Sequence, residues 1–250
     1  MPPPPRPCIE LTASDIRVVA ETASTNDDMK ALAAEGAGEG VWLRAERQTA
    51  GRGRMGRDWE GQAGNLFAST LVRVTPLDPP PPTLALVIAV AAHRALEEFV
   101  GAGALTIKWP NDIMTGGDPA KLSGVLMERA GDAVVIGIGV NVAAAPQIPG
   151  RRTACLHDLG APACDAASVL EAIATRFGEE LLRWRTYGVE PIVRAWLSRA
   201  HAPGTPLTVQ LPDGETVIGA FDTLAPDGAL ILRLADGGIR AIHAGDVFLT

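Results

Sequence analysis

The stretch AGRGRMGRDW, Ala50 to Trp59, constrains this chain more than any other. Gly51, Gly53 and Gly56 keep the Gly-x-Gly-x-x-Gly spacing of a dinucleotide-binding turn, interleaved with Arg52, Arg54 and Arg57. Such a turn needs a helix starting at its third glycine, so that the pyrophosphate rests on the helix N-terminus. Gly56 is followed by RDWEGQAGN, which brings further glycines and no apolar periodicity, so no helix is expected there. The acidic residue expected about 20 positions on would be Asp78, and it lies in a proline run instead of at a strand end. A P-loop fits less well still, because Arg57 and Asp58 stand where its lysine and its magnesium-binding hydroxyl belong. A solvated surface loop explains the charge but not the alternation. Glycine lets backbone N–H groups approach a ligand, and arginine offers a planar fork that matches carboxylate or phosphate. Together they read as a clamp for an anion.

The clamp stands out because the chain as a whole is acidic, with a formal net charge of -7. Long-range attraction to nucleic acid is therefore not expected. The 250 residues allow one large domain, or one with a small appendage, and 47% hydrophobic residues suffice for a sizeable core. Cys8, Cys155 and Cys164 make neither a disulfide framework nor a zinc motif, which suits a reducing compartment. The start, MPPPPRPC, has no apolar stretch of the signal-peptide kind. The longest apolar run, Leu84 to Ala92, is far short of the roughly 20 residues a membrane span needs. A cytoplasmic protein that does not enter a membrane is expected.

After a frayed tail over residues 1–13, IRVVAE (Ile16 to Glu21) reads as a strand and STNDDMKALAAEG as a helix. Ser24 or Thr25 can cap that helix, Asp27 and Asp28 suit its positive end, and Gly36 stops it. Strands are expected over Val41 to Gln48 and Asn65 to Val74, then a buried helix over Thr83 to Val100. ALTIKW, KLSGVLMER and AVVIGIGVNV follow as strands, Gly150 to Asp165 as a loop, and Ala167 to Arg185 and Val189 to Ala200 as amphipathic helices. Beyond Ala202 to Gly204, short strands alternate with PDG, PDG and ADGG, the pattern of a small β-barrel.

Other stretches have ordinary structural readings when taken singly. Ser24-Thr25-Asn26 can be a cap, Gln48 a strand end, KWPND (Lys108 to Asp112) a turn, Lys121 a strand-edge lysine and GIGVN (Gly137 to Asn141) a strand. Their order and identities together are far more specific. The series Ser-Thr-Asn, Gln-x-x-Gly-Arg-Gly-Arg-x-Gly-Arg, Lys-Trp-Pro-Asn-Asp, Lys-Leu-x-Gly and Gly-x-Gly-x-Asn resembles the biotin–protein ligases, strongly over Glu21 to Val142. The Gly-Asp-Val segment near the C-terminus resembles that family's SH3-like domain.

The resemblance implies an α+β fold: a mixed β-sheet flanked by helices in a catalytic domain over residues 1–202, and an SH3-like β-barrel over 203–250. It implies a ligase that joins biotin to ATP as biotinyl-5'-AMP and passes it to a lysine of a biotin carboxyl carrier protein or a carboxylase's biotinyl domain. Lys121, Arg52 and Arg54 would be catalytic. Ser24, Thr25, Asn26, Gln48, Arg52, Gly53, Arg54 and Lys121 would bind biotin. Arg54, Trp59, Lys108, Asn111, Asp112 and Asn141 would serve ATP, with Trp59 stacking on adenine and Asp112 the candidate ligand for a Mg2+ that arrives with ATP. No further metal is expected. The loop would be mobile when empty and close over the acyl-adenylate.

Two departures stand out. Met55 occupies a position where the family often has another arginine. About 15 residues precede the first strand, too few for the family's helix-turn-helix repressor domain, so no DNA partner is expected. The chain would act as a monomer or homodimer. A lipoate–protein ligase or acyltransferase of the related fold is the rival enzyme, and a biotin-binding module without catalysis the rival of another class. His93, His157, His201 and His243 are scattered and fit neither a metal site nor a catalytic triad.

Overall fold

The structure is a computed structural model that describes residues 16–59 and 61–249. The tail expected over residues 1–13 lies outside the described residues.

The first and larger unit is built on a seven-stranded sheet. Its strands are β1 (Ile16–Thr22), β2 (Trp42–Gln48), β3 (Leu66–Arg73), β4 (Leu105–Lys108), β5 (Asp112–Thr115), β6 (Lys121–Ala130) and β7 (Ala133–Val140). They lie in the order β1-β2-β3-β7-β6-β5-β4. β1 and β2 run parallel and every other neighbouring pair is antiparallel, so the sheet is mixed as expected. Only Asp112 of β5 lies in a stretch with an expected element, the KWPND turn, and residues 113–115 have none. At four residues it is too short to show an alternating pattern, and only its pairing with β4 and β6 makes it a strand.

β3 and β7 are central and buried on both faces, which is why their sequences are almost continuously apolar. The period of two assigns their residues to two layers. Leu66, Ala68, Val72, Val134, Ile136, Ile138 and Val140 face the main core, where α2 (Leu84–Val100) and α3 (Ala166–Tyr187) pack. Leu71, Ala133 and Val135 face the other way, against Met29 and Ala33 of α1 (Thr25–Ala34). Helices therefore cover both faces. α3 starts at a reciprocal cap between Asp165 and Ser168, and Trp184 on it donates from Nε1 to Thr83 Oγ1 at 2.8 Å. The expected cap of α1 differs. Ser24 sits at the N-cap, but its side chain makes no capping bond; its backbone carbonyl accepts from Asp27 N and Asp28 N instead.

After α4 (Glu190–Leu197), a second sheet comprises β8 (Pro206–Gln210), β9 (Thr216–Leu224), β10 (Leu230–Arg233), β11 (Ile239–Ile242) and β12 (Asp246–Leu249). It is antiparallel, in the order β11-β10-β9-β8-β12. Pairing of β11 with β12, which would close it into a barrel, is not among the described pairings. The two sheets meet through buried aromatic groups. Trp196 packs on Phe221 with ring centroids 6.2 Å apart, and Trp109 donates from Nε1 to Gly228 O at 3.0 Å.

His201 lies at this junction, edge-on to Phe221. Burial, and secondarily the Lys108 charge, lower its pKa from 6.5 to about 4. The unfolded chain then binds a proton that the folded chain refuses, so its contribution to stability is lost as pH falls from 6.5 towards 4. Urea unfolding of the wild type against His201→Phe should show the wild-type midpoint falling more steeply over that window. Parallel curves would contradict the placement of this ring.

Candidate functional site

The face of the sheet that carries α1 also carries the main cavity, of about 830 Å³. That is within the size range of small-molecule sites. The strand register explains the space. Phe67 lies opposite Gly139, which lies opposite Gly124, which lies opposite Asp112. In the next row Ser69 faces Gly137, and Gly137 faces Leu126. Three glycines thus leave the sheet bare where Val135 and Leu71 fill it one row further on. A Cβ on Gly137 would overlap Asn26 Oδ1, and one on Gly139 would overlap the Trp59 indole.

One end of the cavity is rich in hydrogen-bonding groups and carries no net charge. Ser24, Thr25 and Asn26 are buried at the start of α1. Gln48 Oε1 accepts from Thr25 N at 2.8 Å and from Thr25 Oγ1 at 3.0 Å. Ser69 Oγ lies 2.7 Å from Asn26 Oδ1 and 2.8 Å from Thr25 Oγ1. Asn26 Nδ2 donates to Glu128 Oε2 at 2.7 Å. Such a network fixes the direction of each amide and hydroxyl before a ligand arrives.

The other end is cationic. Asp112 heads β5 and receives Lys121 Nζ at 2.6 Å on one carboxylate oxygen and Lys108 Nζ at 3.2 Å on the other. Burial alone would raise the Asp112 pKa, but the two ammonium groups outweigh it and hold the carboxyl below its ordinary value. Lys121 Nζ also lies 5.5 Å from the centroid of the Trp59 ring. Asn111 donates from Nδ2 to Val125 O and accepts from Arg54 Nη1 at 3.4 Å. Seven cationic side chains line the cavity against three carboxylates, which marks it as a site for anions.

The glycine–arginine loop crosses the cavity mouth. A backbone bridge pairs Arg52 with Asp58, and a short 3-10 turn spans Arg54–Gly56. Met55 is exposed there at φ 56, the left-handed region that disfavours a side chain. In this structure the loop is held at three points. Arg52 Nη2 meets Asp27 Oδ1 at 2.6 Å, Arg54 Nη2 donates to Gly245 O at 3.3 Å, and Arg57 Nη2 meets Asp246 Oδ1 at 2.8 Å. Burial lowers the Arg54 pKa from its ordinary value, although a guanidinium stays charged.

The cavity brings together Ser24, Thr25, Asn26, Gln48, Arg52, Gly53, Arg54, Trp59, Lys108, Asn111, Asp112 and Lys121. Asn141 differs: it is buried outside the lining, and its Nδ2 bonds Ala154 O at 3.0 Å and Lys121 O at 3.3 Å. It braces the backbone that carries Lys121. Trp59 lies on the glycine floor beside Lys121. Sequence reasoning missed Ser69, Glu128 and the β12 residues Asp246 to Leu249, which share the site. Nothing local marks them, since the sheet register and the docking of the second sheet bring them in.

Two family models match the chain: the biotin/lipoate A/B protein ligase family over residues 20–141, and the biotin protein ligase C-terminal domain over 204–250. A biotin--[acetyl-CoA-carboxylase] ligase of Paracoccus denitrificans is 38% identical, over 92% of this chain and 99% of its own. One from Mycobacterium tuberculosis is 36% identical, over 92% and 87%. The solved biotin protein ligase of Aquifex aeolicus in complex with biotin and ATP superposes with a TM-score of 0.81 at 27% identity, covering 94% of this chain and 98% of that one. With its mixed sheet and appended β-domain, the chain belongs to the biotin/lipoate protein ligase family.

The bare floor can be tested without any ligand. Gly137→Ala should lower stability by about 1–3 kcal/mol through overpacking, read from urea unfolding. Asn26→Ala in the same chain should recover part of the loss. An unchanged midpoint in Gly137→Ala would contradict the contact between these residues.

Proposed function

We infer that this protein is an ATP-dependent ligase that activates biotin as biotinyl-5'-AMP and transfers it to a lysine of a biotin carboxyl carrier protein domain. The observation that carries the reading is one cavity with two unlike ends: a directed neutral network at one, and two lysines on a shared carboxylate at the other.

The residues divide accordingly. Ser24, Thr25, Asn26 and Gln48 bind the ureido head of biotin, and the glycine floor takes its apolar rings. Arg52, Gly53 and Arg54 close over the tail and the phosphate. A biotin carboxylate oxygen attacks the α-phosphorus of ATP, a new oxygen–phosphorus bond forms, and pyrophosphate leaves with the electron pair of the broken one. Two anions must meet in this step, and Lys121, with Lys108 beside it, lowers their repulsion and holds the charge that builds at phosphorus. In the second step the acceptor amine attacks the acyl carbon and AMP leaves. Positioning and charge stabilisation supply the catalysis in both steps. Trp59 covers the adenine after leaving the glycine floor. Asn111 and Asp112 serve ATP through the groups they orient, and Asn141 through the Lys121 backbone.

Among the described residues no group of three His, Cys, Asp or Glu side chains could hold a metal ion, and both oxygens of Asp112 are engaged by lysines. The residues do not fit a magnesium ion held by the protein. Magnesium belongs to the nucleotide as substrate, and no step is drawn through it.

A lipoyl group fits the neutral end less well than biotin does. Its dithiolane ring has no group that could hydrogen-bond with the polar side chains of that end, a basis for rejection. Among the described residues no helix is long and apolar enough to cross a membrane. We place the enzyme in the cytoplasm as a monomer or homodimer, with a carboxylase's biotinyl domain as its protein partner.

Exchange of labelled pyrophosphate into ATP should depend on biotin and not on lipoate. Lys121→Ala should reduce it by at least about 100-fold, the scale of losing one transition-state charge contact. Exchange with lipoate alone, or a near-wild-type rate in the variant, would overturn the assignment.

A further inference from the structure

The loop arginines are not held alike. Arg54 leans on neutral groups and Arg57 on Asp246 of the second sheet. Arg52 enters a cluster of four charges. Its Nη2 lies 2.6 Å from Asp27 Oδ1 and 3.8 Å from Glu128 Oε1. Lys30 Nζ lies 2.8 Å from the same oxygen of Asp27 and 2.8 Å from Glu128 Oε1. Two carboxylates are matched by two cations, so the cluster is formally neutral.

Building on the ligase reading, we propose that Asp27 and Glu128, bridged by Lys30, are positioning residues that catch Arg52 and thereby set how long the acyl-adenylate is retained under the loop. The cluster stands on rigid elements: Asp27 and Lys30 on α1, and Glu128 on β6 opposite Val135 of β7. Asp27 engages a single guanidinium nitrogen of Arg52, and a guanidinium has five N–H donors in all. Arg52 also lines the cavity. The catch therefore orients Arg52 without consuming it.

Glu128 also ties the catch to the head of the pocket. Its Oε2 accepts from Asn26 Nδ2, while its Oε1 meets Lys30. A ligand that fixes Asn26 thus fixes the carboxylate beside Arg52. Arg52 and Asp27 are partly exposed, so the pair is of modest strength and sensitive to salt. That suits a catch that must open for each acceptor.

The test is the escape of radiolabelled biotinyl-adenylate from the preloaded enzyme, followed by rapid filtration into excess unlabelled biotin and ATP. Asp27→Asn should release it about five-fold faster than wild type at low salt, on the scale of one exposed ion pair. Asp27→Glu should recover most of the retention. Raising the salt should speed wild-type escape and narrow the gap between the two. The wild-type salt series stands alone if a variant folds poorly. Escape from Asp27→Asn within two-fold of wild type, or wild-type escape indifferent to salt, would overturn the proposal. A wild-type enzyme that forms no adenylate would instead refute the ligase reading on which it rests.

Discussion

Asp112 holds two ammonium groups at once, and much of the site depends on that sharing. Taking a carboxylate out of water is costly. The cost is met here because Lys121 and Lys108 approach its two oxygens separately, and together they keep it ionised against burial. One negative charge against two positive ones leaves the group with an excess of positive charge. It stands at the end of a cavity where, on the ligase reading, a carboxylate and a triphosphate must come together. The lysines are oriented before either arrives, so little reorganisation is left for the reacting state.

The fold supplies that arrangement through register more than through any single motif. Asp112 opens a four-residue strand, and its partner across the ladder is Gly124. Gly124 faces Gly139, and the row continues to Phe67. Because side chains alternate along a strand, one row carries both the charged group and the bare floor beside it. A slip of one residue in β6 or β7 would turn the glycines into the main core and set Ile138 or Val125 in the cavity. The second sheet completes the enclosure. Its β12 sends Asp246 to Arg57, and Val247 O accepts from Lys108.

The alternation of glycine with arginine was legible, and so was the absence of a helix starting at Gly56, which rules out a dinucleotide turn. Long strands and helices were legible from their periods: β3, β7, α2 and α3 fall within a few residues of expectation. β5 was not, being too short for a pattern. The family motifs located Ser24, Thr25, Gln48, Lys108 and Lys121, but not why they cooperate. Glu128 looked like an ordinary polar residue on a strand. It became part of the site only when β6 placed it beside Asn26 and Lys30, about 100 positions away in sequence. Asn141 shows the reverse. Its motif suggested nucleotide contact, whereas its amide is spent on the backbone that carries Lys121.

If the shared carboxylate is what prepares the cationic end, its loss must slow the first chemical step itself. The direct measurement is the single-turnover rate of adenylate formation in Asp112→Asn at saturating biotin and ATP. Removing one partner from a buried charge group costs about 3 kcal/mol or more, so a fall of about 100-fold is predicted. A rate within about two-fold of wild type, well under 1 kcal/mol, would contradict the account.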